Sequence, residues 1–541
     1  MATLYTSLSS TSSSTALIIP SNKNPIVLSH QDLFRQASRF QHKLASIGIS
    51  RGDAVAFAFA NTIEFGISFL ATTFQRAVAA PLNPAYKQDE FEFYLQDLKA
   101  AILLLPRGAF AEDGEAVRAA RKSESAIAEI FWDELEIVME VKEPGTIKGR
   151  KTAVVEQPVE SDIALVLHTS GTTGRPKAVP LTHKNLCRTM SNISATYKLT
   201  VIDRTFLVMP LFHVHGLLAG FLAPIGSGGS IIMPPRFSAS EFWIDFEAFK
   251  ANWYTAVPTM HQILLRNTLP EPMPIIRFIR SCSSPLAPAV LKQMEVLFNA
   301  PVLEAYAMTE AAHQMTSNPL PPATHKAGSV GVAQGLSLRI MDDDGKSLPQ
   351  GKIGEVCVLG SNVTPGYLGE GIASPFTSAG YLRTGDQGYL DEEGYLFLTG
   401  RIKELINKGG EKISPIEIDN LLAQHPKVFE AVSFAIDDEL YGQNVGVAIA
   451  LREGTDLSEE ELLAWFGQRA AKYKVPKKVF FTTKIPKTAT GKVQRRLVAK
   501  EMAESGRSEV GEVASSDAGL IKEEKPRGSA NIFSCIINLF K

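Results

Sequence analysis

Leu167-His168-Thr169-Ser170-Gly171-Thr172-Thr173-Gly174-Arg175-Pro176-Lys177 is a Ser/Thr/Gly loop closed by a lysine. It follows the apolar run Ile163 to Leu167, which reads as a buried strand. Small residues let a backbone approach an anion closely, and successive N–H groups form a cradle for phosphate oxygens. Ser170, Thr172 and Thr173 add hydroxyl donors between the glycines Gly171 and Gly174, and Lys177 adds a mobile positive charge. The loop is not GxxxxGK[ST], because Gly174 is followed by Arg-Pro-Lys-Ala. An ordinary surface turn has the same composition, so the rest of the chain must decide.

With 541 residues the chain exceeds one hydrophobic core, and at least two domains are expected. Lys+Arg 55 against Asp+Glu 57 gives −2, which carries no bulk bias toward nucleic acid or anionic membrane. Cys187, Cys282, Cys357 and Cys535 lie far apart, without metal or disulfide-framework spacing, which fits a reducing compartment. The first 24 residues are rich in Ser and Thr, and their longest apolar run, Ala16 to Ile19, is too short for a signal sequence. No apolar stretch approaches the roughly 20 residues that span a bilayer. A soluble, cytoplasmic protein is expected.

Strand-like runs such as Ala54 to Phe59 and Ala101 to Leu105 alternate with helix-like segments. Gln31 to Ile47, for instance, spaces Leu33, Ala37, Phe40, Leu44 and Ile47 helically. That alternation predicts an α/β architecture with largely parallel sheets. Over 330–400 the pattern shifts to short strands, Ser337 to Met341, Ile353 to Leu359 and Tyr395 to Thr399, and predicts a small β-rich subdomain. Expected boundaries are an N-terminal segment 1–24, a large domain 25–400, a second domain 401–502 and a polar tail 503–541. The tail lacks core-forming residues and reads as disordered, yet ends in the apolar Ile532 to Lys541. That end suits either weak docking on a membrane or protein, or a dispensable extension.

Four further clusters follow the opening loop. They are Met209-Pro210-Leu211-Phe212-His213-Val214-His215-Gly216, then Glu304-Ala305-Tyr306-Ala307-Met308-Thr309-Glu310, then Tyr381-Leu382-Arg383-Thr384-Gly385-Asp386. The last pairs Gly400-Arg401-Ile402-Lys403-Glu404 with Pro486-Lys487-Thr488-Ala489-Thr490-Gly491-Lys492. Read singly, Tyr306 is a core aromatic, Glu310 a surface carboxylate, Lys492 a solvated charge, and His213 and His215 are packing residues.

In this order and identity the clusters resemble the adenylate-forming superfamily of acyl-CoA synthetases, peptide-synthetase adenylation domains and luciferases, from about residue 25 to 502. The resemblance implies a large domain of two helix-flanked sheets with a small β-barrel-like subdomain, and a smaller mobile α+β C-terminal domain. It implies that ATP and a carboxylate form acyl-AMP and pyrophosphate, and that a thiol then attacks. A carboxylate attacking a phosphate is an anion approaching an anion, so preorganised positive charge is required. By resemblance, the loop from Thr169 and Ser170 to Lys177 holds the β- and γ-phosphates, Thr309 the α-phosphate, and Glu310 a Mg²⁺ ion. Tyr306 would stack on adenine with Ser283 and Ser284 lining that pocket, and Asp386 and Arg401 would serve the ribose. Lys492 would bridge the attacking carboxylate and the α-phosphate, with His213 among the catalytic residues. Lys403 sits at the family's hinge, and Gly409 and Gly410 would face the thiol after rotation.

No carrier segment follows Met502, and Phe212 to His215 lacks the aspartate that an amino acid's ammonium would need, so free CoA is the expected thiol rather than a peptide-synthetase carrier. Nothing specific supports a luciferase-like oxygenase. Arg280-Ser281-Cys282-Ser283, Glu304 to Glu310 with His313, and Ile402 to Pro415 resemble the oxalate–CoA ligases of plants and fungi. Ala305 and Ala307 flank Tyr306 where many relatives have glycines, and the added methyl groups narrow an acyl pocket. His313, His215 and a serine of the Ser281–Ser283 turn could bind a second carboxylate, against a structural role for His313. Two departures stand: Ser284-Pro285 interrupts that turn, and the chain ends Leu539-Phe540-Lys541 rather than in a peroxisomal tripeptide. The leading acid is oxalate or another small acid. The alternative is a medium-chain or polyketide-derived acid of fungal secondary metabolism, since one methylene changes pocket affinity by only ~1–3 kcal/mol.

Overall fold

The computed structural model describes residues 2–21, 24–169, 176–369, 371–487 and 493–513, with side chains as far as 504. Two large sheets dominate. The first runs, in spatial order, Val332–Ala333, His313–Ser317, Val302–Met308, Phe278–Cys282, Trp253–Ala256, Arg204–Leu207, Ser230–Ile232, Thr15–Ile19 and Ile26–Ser29. Its interior is parallel and both edges are antiparallel. The second runs Glu136–Glu143, Ala126–Asp133, Ile102–Pro106, Ala54–Phe57, Val78–Pro81, Ile163–Thr169 and Lys177–Thr182. Parallel sheets need both faces covered, and helices packed against them supply that cover.

The helix Ile63–Phe74 lies in the shared middle layer, so every residue but Glu64 is buried. Glu64 is retained because its carboxylate accepts from the Trp132 backbone N–H at 2.9 Å. One apolar core runs from Val55 and Leu165 through Phe65, Phe69 and Leu186 to Leu17, Ile231 and Trp253. The helix His30–Ser46 starts where Ser29 and Asp32 form a reciprocal capping box. It buries Leu33, Ala37, Phe40 and Leu44, the face that its spacing predicts.

The first 24 residues are not a separate segment. Leu4–Leu8 is a short helix with Leu4 and Leu8 in the core, and Thr15–Ile19 is an interior strand. The small β-rich unit is an antiparallel meander of Ser337–Met341, Gly354–Leu359, Leu382–Leu390 and Leu396–Arg401. The C-terminal unit is a five-stranded sheet built around the long pair Val428–Asp438 and Gly442–Leu451, packed by Pro415–Leu422 and Glu459–Gly467. The helix Arg495–Val513 crosses the expected boundary at 502/503, burying Val498 and Met502. The apolar end, 532–541, and Cys535 lie outside the described residues. Among the described residues no helix is long and apolar enough to cross a membrane.

Backbone approach is closest at Gly331, where φ is +81° and an added Cβ would sit 1.9 Å from the Ser317 carbonyl carbon. Gly351 has a similar φ, +79°, with open space around it. Gly331→Ala is expected to cost about 3 kcal/mol or more, and Gly351→Ala about 1 kcal/mol, since only the first adds a clash to left-handed strain. Denaturant midpoints check this; equal losses would mean the clash relaxes.

Candidate active site

The two sheets meet at Glu310. Strand Ile163–Thr169 and its antiparallel partner Lys177–Thr182 form a hairpin whose last pair is Thr169 with Lys177. The loop between them, Ser170, Gly171, Thr172, Thr173, Gly174 and Arg175, lies outside the described residues. Just before it, His168 Nε2 bonds Asp97 at 2.9 Å, fixing the strand end. Glu310 comes from the other sheet, on the single 3₁₀ turn Thr309–Ala311 after strand Val302–Met308. Its Oε1 accepts from Thr169 Oγ1 at 3.4 Å and from the Tyr367 hydroxyl at 3.0 Å. Burial and the neighbouring Glu310 charge push the Tyr367 phenol well above its ordinary range, so it remains a donor. Lys177 Nζ sits 4.7 Å from the centre of the same tyrosine ring. Thr309 is half-buried at the start of the turn. Ala312 and His313 follow in succession at φ +48° and +99°, so backbone strain collects where the chain reverses.

Glu310 is buried, with hydroxyl donors and no ion pair among the described residues. One carboxylate beside the Thr169 strand end fits Mg²⁺, which takes one or two protein oxygens and fills its shell with other oxygens and water. Among the described residues no group of three His, Cys, Asp or Glu forms a closed metal cage.

Among the residues expected to meet the nucleoside, antiparallel pairing sets Asp386 opposite Arg401. Arg401 Nε lies 3.3 Å from Asp386 Oδ1, and the Tyr306 hydroxyl donates to Asp386 Oδ2. Burial and the Asp386 charge raise the Tyr306 phenol far above its ordinary range, which keeps the proton on the donor. Tyr306, Asp386 and Arg401, distant in sequence, are therefore one cluster. The Ser283–Ser284 turn follows strand Phe278–Cys282; Ser283 has φ +76°, and Ser284 Oγ donates to the Ser283 carbonyl at 2.9 Å.

Of the residues expected to meet the acid, Ser283 and His313 lie against His215, which opens the π-helix His215–Leu222. Such helices are rare and recur at functional sites. Gly216 is required at the entry, since a Cβ there would lie 2.2 Å from the Pro210 carbonyl oxygen. His215 Nδ1 is 3.0 Å from Ser283 Oγ, and its Nε2 is 2.6 Å from Thr255 Oγ1. The buried His313 ring stacks on His215 at 5.2 Å between centroids. His213 is half-buried with its ring against Phe212 at 4.7 Å. Ser281 is wholly buried within its strand, with Oγ lacking a hydrogen-bond partner among the described residues. Ala305 is buried and Ala307 half-buried, on either side of Tyr306.

In the C-terminal unit, Lys403 lies exposed on the 3₁₀ turn Ile402–Glu404. Gly409 and Gly410 take φ +59° and +95° in a hairpin turn, where Gly409 N–H donates to the Tyr441 carbonyl at 2.9 Å. Among the described residues no hydrogen bond joins this turn to the Glu310 cluster. Lys492 lies outside the described residues; Lys487 and Val493 on either side of its segment form an isolated bridge. The unit touches the large one through Arg266, whose guanidinium lies 3.3 Å over the Phe429 ring, and through Ser414 Oγ donating to the Thr399 carbonyl.

Tyr367 and Thr255 were not legible as site residues. Tyr367 follows Pro365-Gly366 in a loop, and Thr255 sits mid-strand in an apolar run; neither position has a pattern that marks it.

A model of AMP-binding enzymes matches residues 6–368, and a model of the AMP-binding enzyme C-terminal domain matches residues 417–492. The fold superposes on ATP-bound MatB from Rhodopseudomonas palustris with a TM-score of 0.83 at 28% identity, covering 93% of this chain and 99% of that one. Two sheets joined at Glu310, under a family match that spans most of the chain, thus define an adenylate-forming enzyme. Among similar proteins are the oxalate–CoA ligase of Saccharomyces cerevisiae, 45% identical over 92% of this chain and 96% of that protein, and that of Arabidopsis thaliana, 48% identical over 88% and 93%. An acyl-CoA synthetase of Gibberella moniliformis is 33% identical over 91% and 96%. The chain belongs to the AMP-binding enzyme family and is an AMP-forming acid–CoA ligase that uses ATP and CoA.

Beneath the serine turn, Glu304 is fully buried and its Oε1 accepts from Leu286 N–H at 3.0 Å. Burial raises its carboxyl from 4.5 to about 8. Between those values the folded chain keeps a proton that the unfolded chain has lost, so stability falls as pH rises through that window. Relative to Glu304→Gln, the wild type should therefore lose stability from pH 5 to pH 8 in urea titrations. A constant difference between the two would contradict a neutral Glu304.

Proposed function

We propose that the protein is an oxalate–CoA ligase working through an acyl-AMP. One oxalate carboxylate oxygen attacks the α-phosphorus of ATP and expels pyrophosphate, forming oxalyl-AMP. The CoA sulfur then attacks the activated carbonyl, its proton is lost, and AMP leaves with the oxygen that bridged the two. The observation that carries the reading is the buried, stacked pair His215 and His313 with Ser283 at hydrogen-bond distance, a compact polar cluster on the chain segments that carry Glu310 and Tyr306. A long alkyl chain gains nothing from two imidazoles, whereas the second carboxylate of a small diacid finds donors there. Similarity to two oxalate–CoA ligases supports the same reading.

The Thr169–Lys177 loop is assigned to the leaving pyrophosphate, Thr309 to the α-phosphate, and Glu310 to Mg²⁺, which when bound would neutralise phosphate charge. Tyr306 and Asp386 are assigned to adenosine, Arg401 assisting. Lys492 is assigned to the transition state of adenylation, and Gly409–Gly410 to the thiol's approach after the C-terminal unit turns about Lys403. A second reading, a medium-chain or polyketide-derived acid, has one observation in its favour: the similarity to the Gibberella moniliformis acyl-CoA synthetase. A cytoplasmic location is part of the proposal; a fluorescent fusion with and without residues 530–541 tests it.

Pyrophosphate release should be strong with oxalate, weak with malonate, and absent with octanoate and cinnamate. Strong turnover of octanoate with none of oxalate would overturn the small-diacid reading. Lys492→Ala should lower acyl-AMP formation by about a hundredfold or more while sparing thioester formation from supplied acyl-AMP. Equal losses in the two half-reactions would contradict a two-conformation cycle.

A further inference from the structure

We propose that Arg280 is a specificity-determining positioning residue: through Thr255 and His215 it turns the Ser283 hydroxyl toward the acid, and its charge is matched by the second carboxylate of a bound diacid. Arg280 is wholly buried on strand Phe278–Cys282. Its Nε donates to the Tyr197 hydroxyl at 2.9 Å, Nη1 to Thr255 Oγ1 at 3.2 Å and Nη2 to Gln314 Oε1 at 3.2 Å. Nη1 also lies 3.3 Å from His215 Nε2. All four partners are neutral groups, and among the described residues no carboxylate pairs with Arg280. A buried cation without a counter-ion is costly. A purely structural strand-tying residue would be less costly as a neutral amide or an apolar side chain. A charge kept here is explained if a ligand completes the pair.

The hydrogen-bond directions follow from counting protons. Arg280 Nη1 can only donate and lies 3.3 Å from His215 Nε2, so Nε2 carries no proton and accepts the single hydroxyl proton of Thr255 at 2.6 Å. Nε2 is then an acceptor, which places the imidazole proton on Nδ1, directed at Ser283 Oγ 3.0 Å away. Ser283, accepting from His215, has its own proton to give to a ligand. The relay Arg280–Thr255–His215–Ser283 thus begins at a positive charge and ends in a donor, which selects an acceptor-only group such as a carboxylate. His313, stacked on His215, holds that ring in place.

This inference rests on the small-diacid reading above, and the two can fail separately. The test compares kcat/KM for oxalate with that for its half-amide, oxamate, which has the same size and one carboxylate fewer, alongside the KM for ATP. The wild type should favour oxalate. Arg280→Met should lose about thirtyfold or more on oxalate and under about threefold on oxamate, with the ATP KM little changed. Arg280→Lys should recover part of the preference. Thr255→Val, nearly isosteric, cuts the relay while keeping the charge, and should lose about tenfold selectively on oxalate even if Arg280→Met does not fold. Equal losses on both acids, or an unchanged oxalate-to-oxamate ratio in both variants, overturn the role of Arg280 and leave the diacid reading intact. A wild type that activates octanoate and not oxalate overturns both.

Discussion

The hydrogen bonds from Thr169 and Tyr367 to Glu310 couple the two halves of the large domain where the chemistry must occur. Thr169 ends a strand of one sheet and Glu310 follows a strand of the other, so no single sheet could supply both. The apolar layer around Ile63–Phe74 fixes the distance between the sheets and therefore this contact. The site lies at the ends of strands, the position where open α/β sheets leave a crevice for ligands. Strain at Ala312 and His313 marks the price of turning the chain sharply enough to bring Glu310 and His313 into one crevice.

The same turn separates two kinds of chemistry. Glu310, Asp386 and Tyr306 are buried carboxylates and a phenol, and only Arg401 of that group reaches solvent. The His215 relay is buried and hydrogen-bonded along its length, suited to orienting a small ligand. Electrostatic preorganisation is cheapest where dipoles need not reorganise during reaction. A buried relay anchored by Arg280 and Gln314 meets that condition.

Much of the fold was legible because its signals are periodic. The spacing of Leu33, Ala37, Phe40 and Leu44 gave its helix, and the apolar run before Ser170 gave its strand. The strand Leu382–Leu390 was not read, since Arg383-Thr384-Gly385-Asp386 has the polarity of a turn although Asp386 belongs to the ladder. The first 24 residues misled for a related reason: Ser and Thr disguise a short helix and an interior strand whose apolar partners are remote in sequence. Tyr306, Asp386 and Arg401 could each be singled out from local motifs, and the fold brings them together. Tyr367 and Thr255 could not, because their roles exist only through contacts made across the fold. Arg280 stood in plain view within a quoted motif, but nothing in sequence says that a strand arginine will be buried without a carboxylate.

Isotope transfer tests the proposed chemistry most directly. With oxalate labelled by ¹⁸O at every oxygen, an attack on the α-phosphorus followed by thiolysis at the carbonyl carries one ¹⁸O into each AMP released. Mass spectrometry of AMP formed in the presence of ATP, Mg²⁺ and CoA should show that single label together with oxalyl-CoA. AMP free of label, or label appearing in the released pyrophosphate or orthophosphate, would contradict an oxalyl-AMP intermediate.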